Sequence, residues 1–357
     1  MAAAGIVMLA ALAADPAPPA WQGVWQGTIG PYPVQMCFEQ RDWGDLGAYY
    51  YRSRAALIAL DRDEAGHWRE GKDGPKLRVA PAGPDRLAGS WSDKDRSLPI
   101  SLVRAAPLAD DDDERPCGSL AFHRPRLGKV SWQRTPARIG RLAYERIRLV
   151  PGKGFTTVNV DTFALAAATP AAAAINARVA QQLKTEDWFD CLRGAAAMQG
   201  TDGDYDDSYT PKAVRGPFLS VTHNLGGSCG GAHPYWDIEP LTFDLGTGGL
   251  VELARWVSPR GMVPSKESDG AITYQPSPAL KRLLRARWPK GGDDCEAEVF
   301  DYAFGWRIGL TAGGLGFTPN LPHVAQGCAE ELSLSFAELS PFLSAEGQAG
   351  RKAIGSR

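Results

Sequence analysis

The sequence predicts an α+β protein of two parts: an N-terminal antiparallel β domain, then a domain in which helices pack on a mostly antiparallel sheet. Short apolar runs broken by glycine and proline fill residues 21–135, one strongly helical segment occupies residues 169–200, and strand patterns return after it. The 40 glycines and 27 prolines favour strands and turns over long helices. A length of 357 residues fits about two domains of roughly 150 residues each.

Composition and charge narrow the class of protein. A hydrophobic content of 44% and a charged content of 22% are normal for a globular chain with a sizeable core. The net charge of −2 gives no indication of nucleic acid or of an anionic membrane surface as a partner.

The N-terminus has the pattern of an exported protein. Residues 1–14 are predicted to be a signal peptide, because the apolar run Ala2–Ala14 ends in small residues. No lysine or arginine precedes this run, which departs from the usual signal, and the run is too short to span a bilayer. A Pro-rich linker follows at residues 15–20. We expect a periplasmic or secreted mature chain with no membrane span.

Six cysteines in an exported chain predict three disulfides, for which 15 connectivities exist. The cysteines are Cys37, Cys117, Cys191, Cys229, Cys295 and Cys328. If each pair stays within one domain, Cys37 pairs with Cys117. In the second domain we favour Cys191 with Cys229 and Cys295 with Cys328. No C-x-x-C motif occurs, so a zinc ribbon or a thioredoxin-type site is not supported.

The N-terminal domain, residues 21–135, is predicted from hairpin patterns. Apolar runs flank Gly30 and Pro31, and similar runs recur up to residue 135 without a helix of useful length. A small barrel or a meander is expected. The acidic run at residues 109–116 is expected to be a solvated loop, with a binding patch for a basic partner as the alternative.

The second domain, residues 136–345, opens with two alternating segments that predict strands, and the helical segment 169–200 follows. Thr169 and Pro170 suit a helix start, and a break near residues 185–187 would split the helix in two. Residues 201–211 are expected to be a polar turn. A calcium loop is the weaker alternative, since glycine and glutamate are missing at its required positions.

Strands and a helix are predicted for the remainder. Glycine-rich turns at 246–249 and 313–314 indicate hairpins, and Ser277 caps a helix over 278–288. A last strand and a short helix precede residues 346–357, which are expected to be a disordered tail.

Several short motifs occur in a fixed order in this second domain. These are Ile175-Asn176 on the helix, Gly230-Gly231-Ala232-His233, Phe243-Asp244-Leu245-Gly246-Thr247-Gly248, and the segments LVELARWVSP and FAELSPFL. From about residue 140 to 345 the chain resembles the extracytoplasmic domain of unknown function at the C-terminus of lysozyme-sensing anti-sigma factors, which also accompanies some peptidoglycan deacetylases.

The resemblance implies a ligand-binding role in the cell envelope, with peptidoglycan or a wall-active protein such as lysozyme as ligand. The chain departs from the anti-sigma factors in four respects. It has no membrane helix and no sigma-binding segment, and it has extra cysteines and a different β domain in front.

The stretch GGSCGGAHPYW (226–236) raises three questions of chemistry. Ser228 formally matches G-x-S-x-G, but a strand pattern rather than a helix follows it, against a nucleophile elbow. Cys229 is expected to be disulfide-bonded rather than paired with a histidine as a nucleophile. Zinc could be bound by His223, His233 and His323, although their spacing does not match the usual spacing of zinc ligands. We expect no cofactor and no metal.

The glycines and aromatics of this stretch favour a binding surface. The candidate binding residues are His233, Tyr235, Trp236 and His223. Aromatic rings with one polar tip suit sugar or protein contacts. The sequence therefore favours a non-enzymatic, exported envelope-binding protein whose partner is a cell-wall glycan or an envelope protein. An envelope hydrolase centred on His233 is the alternative, and a structural envelope module is a third.

Overall fold

The structure is a computed structural model that describes residues 18–107, 115–183, 186–266, 270–288 and 295–355. It is an α+β protein of two compact units. The first unit ends at Arg126 and takes in Gln199–Thr201; the second comprises Leu127–Met198 and Asp202–Arg357. The predicted signal peptide and most of the acidic run 109–116 lie outside the described residues.

The first unit contains a closed barrel of eight strands, each paired antiparallel with the next. The strands are β1 (Gly23–Ile29), β2 (Tyr32–Glu39), β3 (Leu46–Tyr51), β4 (Ile58–Arg62), β5 (Trp68–Arg69), β6 (Lys76–Gly83), β7 (Arg86–Asp93) and β8 (Arg96–Arg104). Large side chains such as Trp25, Phe38 and Trp68 are buried in one apolar cluster within the barrel. Side chains fill a barrel of this strand number, so the interior is a packed core.

A short helix that the sequence analysis does not anticipate follows the barrel. It is α1 (Leu120–Leu127), preceded by a 3₁₀ turn (Pro116–Gly118) that carries Cys117. The segment holds Pro125 and two arginines and lacks an apolar stripe, so its sequence gives no helical pattern. Local anchors replace that stripe: Ser119 Oγ accepts a hydrogen bond from the Phe122 N–H, and Cys117 is bonded to Cys37 on β2.

The second unit is built on a six-stranded sheet of order β14-β13-β12-β11-β10-β9. Its strands are β9 (Ser131–Ile139), β10 (Leu142–Val150), β11 (Val158–Leu165), β12 (Asp204–Arg215), β13 (Phe218–Ser228) and β14 (Tyr235–Asp244). All neighbours are antiparallel except β11 and β12, which are parallel. β9 belongs to this sheet, although the sequence analysis assigns its first five residues to the N-terminal domain.

The helices α2 (Pro170–Val179) and α3 (Glu186–Gln199) connect the two parallel strands, because parallel neighbours need a long crossover. Thr169 Oγ1 caps α2 by accepting from the Ala172 N–H at 3.1 Å, as its position predicts. The Asn176 amide accepts from the Leu165 N–H and donates to the Leu165 carbonyl, which fastens α2 to the end of β11. A 3₁₀ turn (Ala180–Leu183) follows α2, and α3 begins at Glu186, so the segment forms two helices, in agreement with the predicted break near residues 185–187.

The polar turn expected at residues 201–211 is instead mostly strand, because β12 begins at Asp204 and pairs on both sides. Asp206 accepts hydrogen bonds from Asn159 and Ser208 in the strand. Asn159 lies on the neighbouring strand β11 and Ser208 lies two residues further along β12, and together they satisfy an aspartate that suggested a turn or a calcium loop.

Smaller elements complete the second unit around a second apolar cluster. They are β15 (Met262–Lys266), β16 (Ile272–Pro276), α4 (Pro278–Arg287), α5 (Cys295–Asp301), β17 (Gly305–Leu310), β18 (Gly314–Asn320), β19 (Leu332–Ser335) and α6 (Ala345–Gly355), with 3₁₀ turns at Leu253–Trp256 and His323–Cys328. Ser277 caps α4 as predicted. Cys295 of α5 is bonded to Cys328.

Residues 346–357 are expected to be a disordered tail, but in the described part of this segment they belong to the helix α6. Gly347 and Gly350 lie directly against Trp256, so that a Cβ at either position would come within 2.3 Å of that residue. Ser344 Oγ accepts from the Gly347 N–H at the start of the helix. The helix packs through small residues, which give no apolar stripe in the sequence.

The strand β14 forms one edge of the six-stranded sheet. Its outward-facing carbonyls include those of Ile238, which accepts from Arg307 Nη1 at 2.9 Å, and Thr242, which accepts from the Val251 N–H. Because the backbone polar groups of successive residues point to opposite sides of a strand, those of Pro240 also face outward. Proline has no backbone N–H to donate there.

Among the described residues, none of the helices has the length and the apolar composition that crossing a bilayer requires. The three disulfides are Cys37–Cys117, Cys191–Cys229 and Cys295–Cys328, the pairs that the sequence analysis favours. Three disulfides fit an exported protein.

Candidate binding cleft

The stretch 226–236 joins β13 to β14 through a bend that is tied to α3. β13 ends at Ser228, a bend covers the next residues, and β14 begins at Tyr235. Gly230 has a φ of +93°, and a Cβ there would lie 2.5 Å from the Gly194 carbonyl of α3. Only glycine permits both the conformation and the approach. The Cys191–Cys229 disulfide makes the same connection covalently.

His223 and Tyr235 line a common cleft on one face of the sheet, which we call the tyrosine cleft. It is an open space of about 520 Å³ above β12, β13 and β14. Its described lining residues are Gln181, Asp187, Cys191, Tyr205, Asp207, Tyr209, His223, Leu225, Cys229 and Tyr235. Side chains two apart on a strand share a face, which is why Tyr205, Asp207 and Tyr209 of β12 reach it together.

His223 is held between two carboxylates. Its Nε2 lies 2.9 Å from Asp207 Oδ1 and its Nδ1 lies 3.4 Å from Glu239 Oε2. Glu239 is the cross-strand partner of His223 on β14, and Tyr209 is its partner on β12. The Tyr209 ring stacks on the imidazole with centroids 4.3 Å apart and planes within 2°. The ring is therefore fixed on three sides.

These contacts set the charge of the imidazole. Burial opposes the charged ring, but the hydrogen bonds to Asp207 and Glu239 outweigh it and raise the pKa of His223 from 6.5 to about 9. The hydrogen bond to His223 in turn lowers the pKa of Glu239. With a carboxylate at each nitrogen, both ring nitrogens act as donors, so His223 is an imidazolium near neutral pH.

The three cleft tyrosines are protonated donors. Burial is the main cause that raises the pKa of Tyr205, Tyr209 and Tyr235, and the charge of Asp207 raises each of them further. The Tyr205 hydroxyl lies 3.5 Å from Asp207 Oδ2, and the Tyr235 hydroxyl lies 3.7 Å from Cys229 Sγ. Tyr235 is 36% exposed, so its ring is open to a ligand.

The other two predicted binding residues lie elsewhere. Trp236 is the neighbour of Tyr235 on β14 and therefore points to the opposite face, where it borders a small recess with Arg307 and Pro319. His233 is exposed in the bend, and its ring meets the edge of the His323 ring with centroids 5.8 Å apart.

The three histidines that could bind zinc do not form a set of metal ligands in the structure. His223 faces Glu239 across the hairpin rather than His233, so the three histidines do not converge. Within the described part of the chain, no three histidine, cysteine or acidic side chains are grouped closely enough to hold a metal ion.

Neither Ser228 nor Cys229 has the structural surroundings that a catalytic nucleophile requires. A strand follows Ser228, whereas a nucleophile elbow requires a helix. Cys229 is bonded to Cys191 and has no thiolate to offer.

Sequence reasoning missed most of the cleft. Tyr205, Asp207 and Tyr209 alternate at strand spacing, and that signal could have placed them on one face. Glu239 and Asp187 carry no local signal, because only the pairing of β13 with β14 brings Glu239 to His223 and only the crossover helices bring Asp187 to the cleft.

Comparisons with known proteins give structural neighbours. Neither a family model nor a curated protein matches the chain. A DUF3298 family protein of Pseudomonas aeruginosa has 13% identity and a TM-score of 0.36, with 61% of this chain and 95% of that chain covered. A second DUF3298 family member, from Bacteroides fragilis, has 13% identity and a TM-score of 0.37, with 65% and 99% covered.

Proposed function

We propose that the protein is a periplasmic or secreted binding protein of the cell envelope, and that its second unit binds a cell-wall glycan in the tyrosine cleft. The observation that carries the proposal is the position of His223 between Asp207 and Glu239. A general base needs a ring nitrogen that can accept a proton. Both nitrogens of His223 donate to carboxylates, so the group is suited to holding the cleft in shape and to binding.

The lining of the cleft suits a hydroxyl-rich ligand. Phenol rings offer apolar faces on which sugar rings can stack, and their hydroxyl groups donate to sugar oxygens. Carboxylate oxygens such as those of Asp187 accept hydrogen bonds from sugar hydroxyls. A concave space with a few converging polar groups is the usual form of a small-ligand site.

The other ligand that the resemblance implies, a wall-active protein such as lysozyme, fits the cleft less well. A stable protein interface buries about 1,200 Å² or more in total and has an apolar centre. The tyrosine cleft is a small open space of about 520 Å³, and of its described lining residues only Leu225 is aliphatic.

The alternative of an envelope hydrolase centred on His233 lacks a supporting observation. Such a histidine works with a nucleophile or an orienting acid at hydrogen-bond distance. Among the described contacts, the ring of His233 meets the ring of His323.

Co-sedimentation with purified insoluble peptidoglycan tests the proposal. We expect the mature protein to bind, and Tyr235→Ala to weaken binding by about tenfold, because it removes an exposed ring of the cleft. Tyr302→Ala is the matched control, since Tyr302 is a 60% exposed tyrosine of the same unit that does not line the cleft. Unchanged binding by Tyr235→Ala, with both variants folded by circular dichroism, would exclude the cleft as the glycan site.

A further inference from the structure

The charges around the tyrosine cleft are predominantly negative. Asp187 and Asp207 line it, and Glu239 lies beside it against His223. The cation among the described groups of the lining is His223, whose charge is already shared between Asp207 and Glu239. Neither lysine nor arginine is among the described lining residues.

The acidic groups around the cleft also raise the pKa values of its three tyrosines. Beyond the effect of burial, Asp207 raises the pKa of all three, Asp187 that of Tyr205, Glu239 that of Tyr209, and Asp204 that of Tyr235. Arg178 acts in the opposite direction on Tyr209, whose pKa is raised chiefly by burial. The carboxylates that oppose a phenolate in the cleft would oppose an anionic ligand and attract a cationic one for the same reason.

We propose that the tyrosine cleft selects glycans that carry free ammonium groups, so that an amino sugar binds in preference to its N-acetylated counterpart. This inference rests on the proposed glycan-binding function and adds the class of sugar.

Two kinds of group recognise the ammonium. Tyrosine faces attract cations through the ring quadrupole, and Tyr235 offers an exposed ring. Asp187, in the first turn of α3, places a carboxylate on the cleft wall that is not engaged by His223. Acetylation of the amine removes the positive charge and with it both attractions, while the hydroxyl groups of the sugar are unchanged.

The test compares two oligosaccharides that differ only in acetylation. The β-1,4-linked tetramer of glucosamine and that of N-acetylglucosamine are titrated calorimetrically into the intact, disulfide-bonded protein near pH 5.5, where amine and His223 are both protonated. We expect the glucosamine tetramer to bind about tenfold more tightly, with an advantage that shrinks as salt is added.

Two variants assign the preference to the cleft. Asp187→Asn removes one carboxylate while keeping the shape of the side chain, and it should reduce the preference by about threefold or more. Asp190→Asn is the matched control, because Asp190 is an exposed residue of the same helix that pairs with Arg193 and does not line the cleft. It should leave the preference unchanged.

Each outcome decides between the two proposals. Equal affinity for the two tetramers, or tighter binding of the acetylated one, overturns the ammonium preference and leaves glycan binding standing. If neither tetramer binds and peptidoglycan does not co-sediment, the proposed function itself fails. An equal loss of preference in Asp187→Asn and Asp190→Asn would mean that a general charge effect, rather than the cleft, is responsible.

Discussion

His223 illustrates how a single residue can be assigned a role from its two hydrogen bonds. In the sequence it is one of five histidines, and nothing near it indicates whether it titrates, ligates a metal or packs. In the structure, Asp207 and Glu239 engage one ring nitrogen each, and Tyr209 covers one face of the ring. The charged form is thereby stabilised, and the histidine becomes part of the cleft wall.

The raised pKa of His223 predicts how the stability of the protein depends on pH. The folded value of about 9 lies above the ordinary value of 6.5, so its contribution is fully present below about pH 6.5 and is lost as the pH rises through about 9. The shift corresponds to a contribution on the order of 3 kcal/mol to the free energy of unfolding. His223→Gln should therefore be less stable than the wild type near pH 6. Its stability should also fall much less than that of the wild type between pH 6.5 and 9.

Urea unfolding of the wild type and of His223→Gln at several pH values measures this difference. Parallel stability curves for the two proteins across this range would show that the imidazole is not held as a cation. The comparison relies on the difference between the two proteins, because other groups titrate in both.

At the scale of elements, local signals were sufficient where a cap or a turn determines the structure. Thr169 and Ser277 cap α2 and α4 at the positions that the sequence predicts. The parallel pairing of β11 with β12 was not predictable in the same way, since it depends on contacts across the two crossover helices. The aspartates of β12 were taken for a turn because their cross-strand partners, Asn159 among them, are distant in sequence.

The helix α6 provides an element whose packing opposes its intrinsic propensity. In an exposed helix, Gly→Ala stabilises by about 1 kcal/mol. At Gly350, however, the new Cβ would lie 2.3 Å from the Trp256 ring. Overpacking of this kind costs about 1–3 kcal/mol. We expect Gly350→Ala to destabilise the protein by about 1–2 kcal/mol and to lower its melting temperature.

Gly355→Ala is the control in the same helix, because no described atom lies within 4 Å of a Cβ at that position. It should be neutral or slightly stabilising in the same thermal scan. If Gly350→Ala proved as stable as Gly355→Ala, α6 would not pack against Trp256 as described.

At the scale of the whole molecule, the favoured cysteine pairs could be named from the sequence, and the tyrosine cleft could not. An even number of cysteines predicts three disulfides, and the rule that pairs stay within a domain gives Cys37–Cys117. The four cysteines of the second domain still allow three pairings, and the favoured one, Cys191–Cys229 with Cys295–Cys328, is confirmed. The cleft draws on two helical segments and three strands, so no short window of sequence contains it. Tyr235 and His223 are named from the residue types of the sequence, whereas the contact of Asp207 with His223 depends on the register of β12 and β13.

Oxidation of the chain should be coupled to ligand binding through one disulfide in particular. Cys191–Cys229 lines the cleft and closes a separation of 38 residues, so replacing both cysteines with serine should cost about 3–4 kcal/mol of stability. It should also weaken peptidoglycan binding, because the bend before Tyr235 loses its anchor on α3.

The control is the double variant Cys295→Ser, Cys328→Ser. Its disulfide closes a loop of similar size, with a separation of 33 residues, and neither cysteine lines the cleft. A similar loss of stability with unchanged binding is expected, measured by denaturant unfolding and by co-sedimentation. Loss of binding in both double variants to the same degree would instead indicate a general effect of destabilisation.

The edge strand β14 has a consequence for how the protein behaves at high concentration. An open sheet edge is a template on which another chain can add a strand, the first step of aggregation. Along the outward side of β14, Pro240 withholds a donor, and the Ile238 carbonyl is already occupied by Arg307. A strand of a second molecule could not form a continuous row of hydrogen bonds with β14, because successive outward positions are blocked. The sheet therefore ends at β14, although tyrosine, tryptophan and isoleucine side chains remain exposed there.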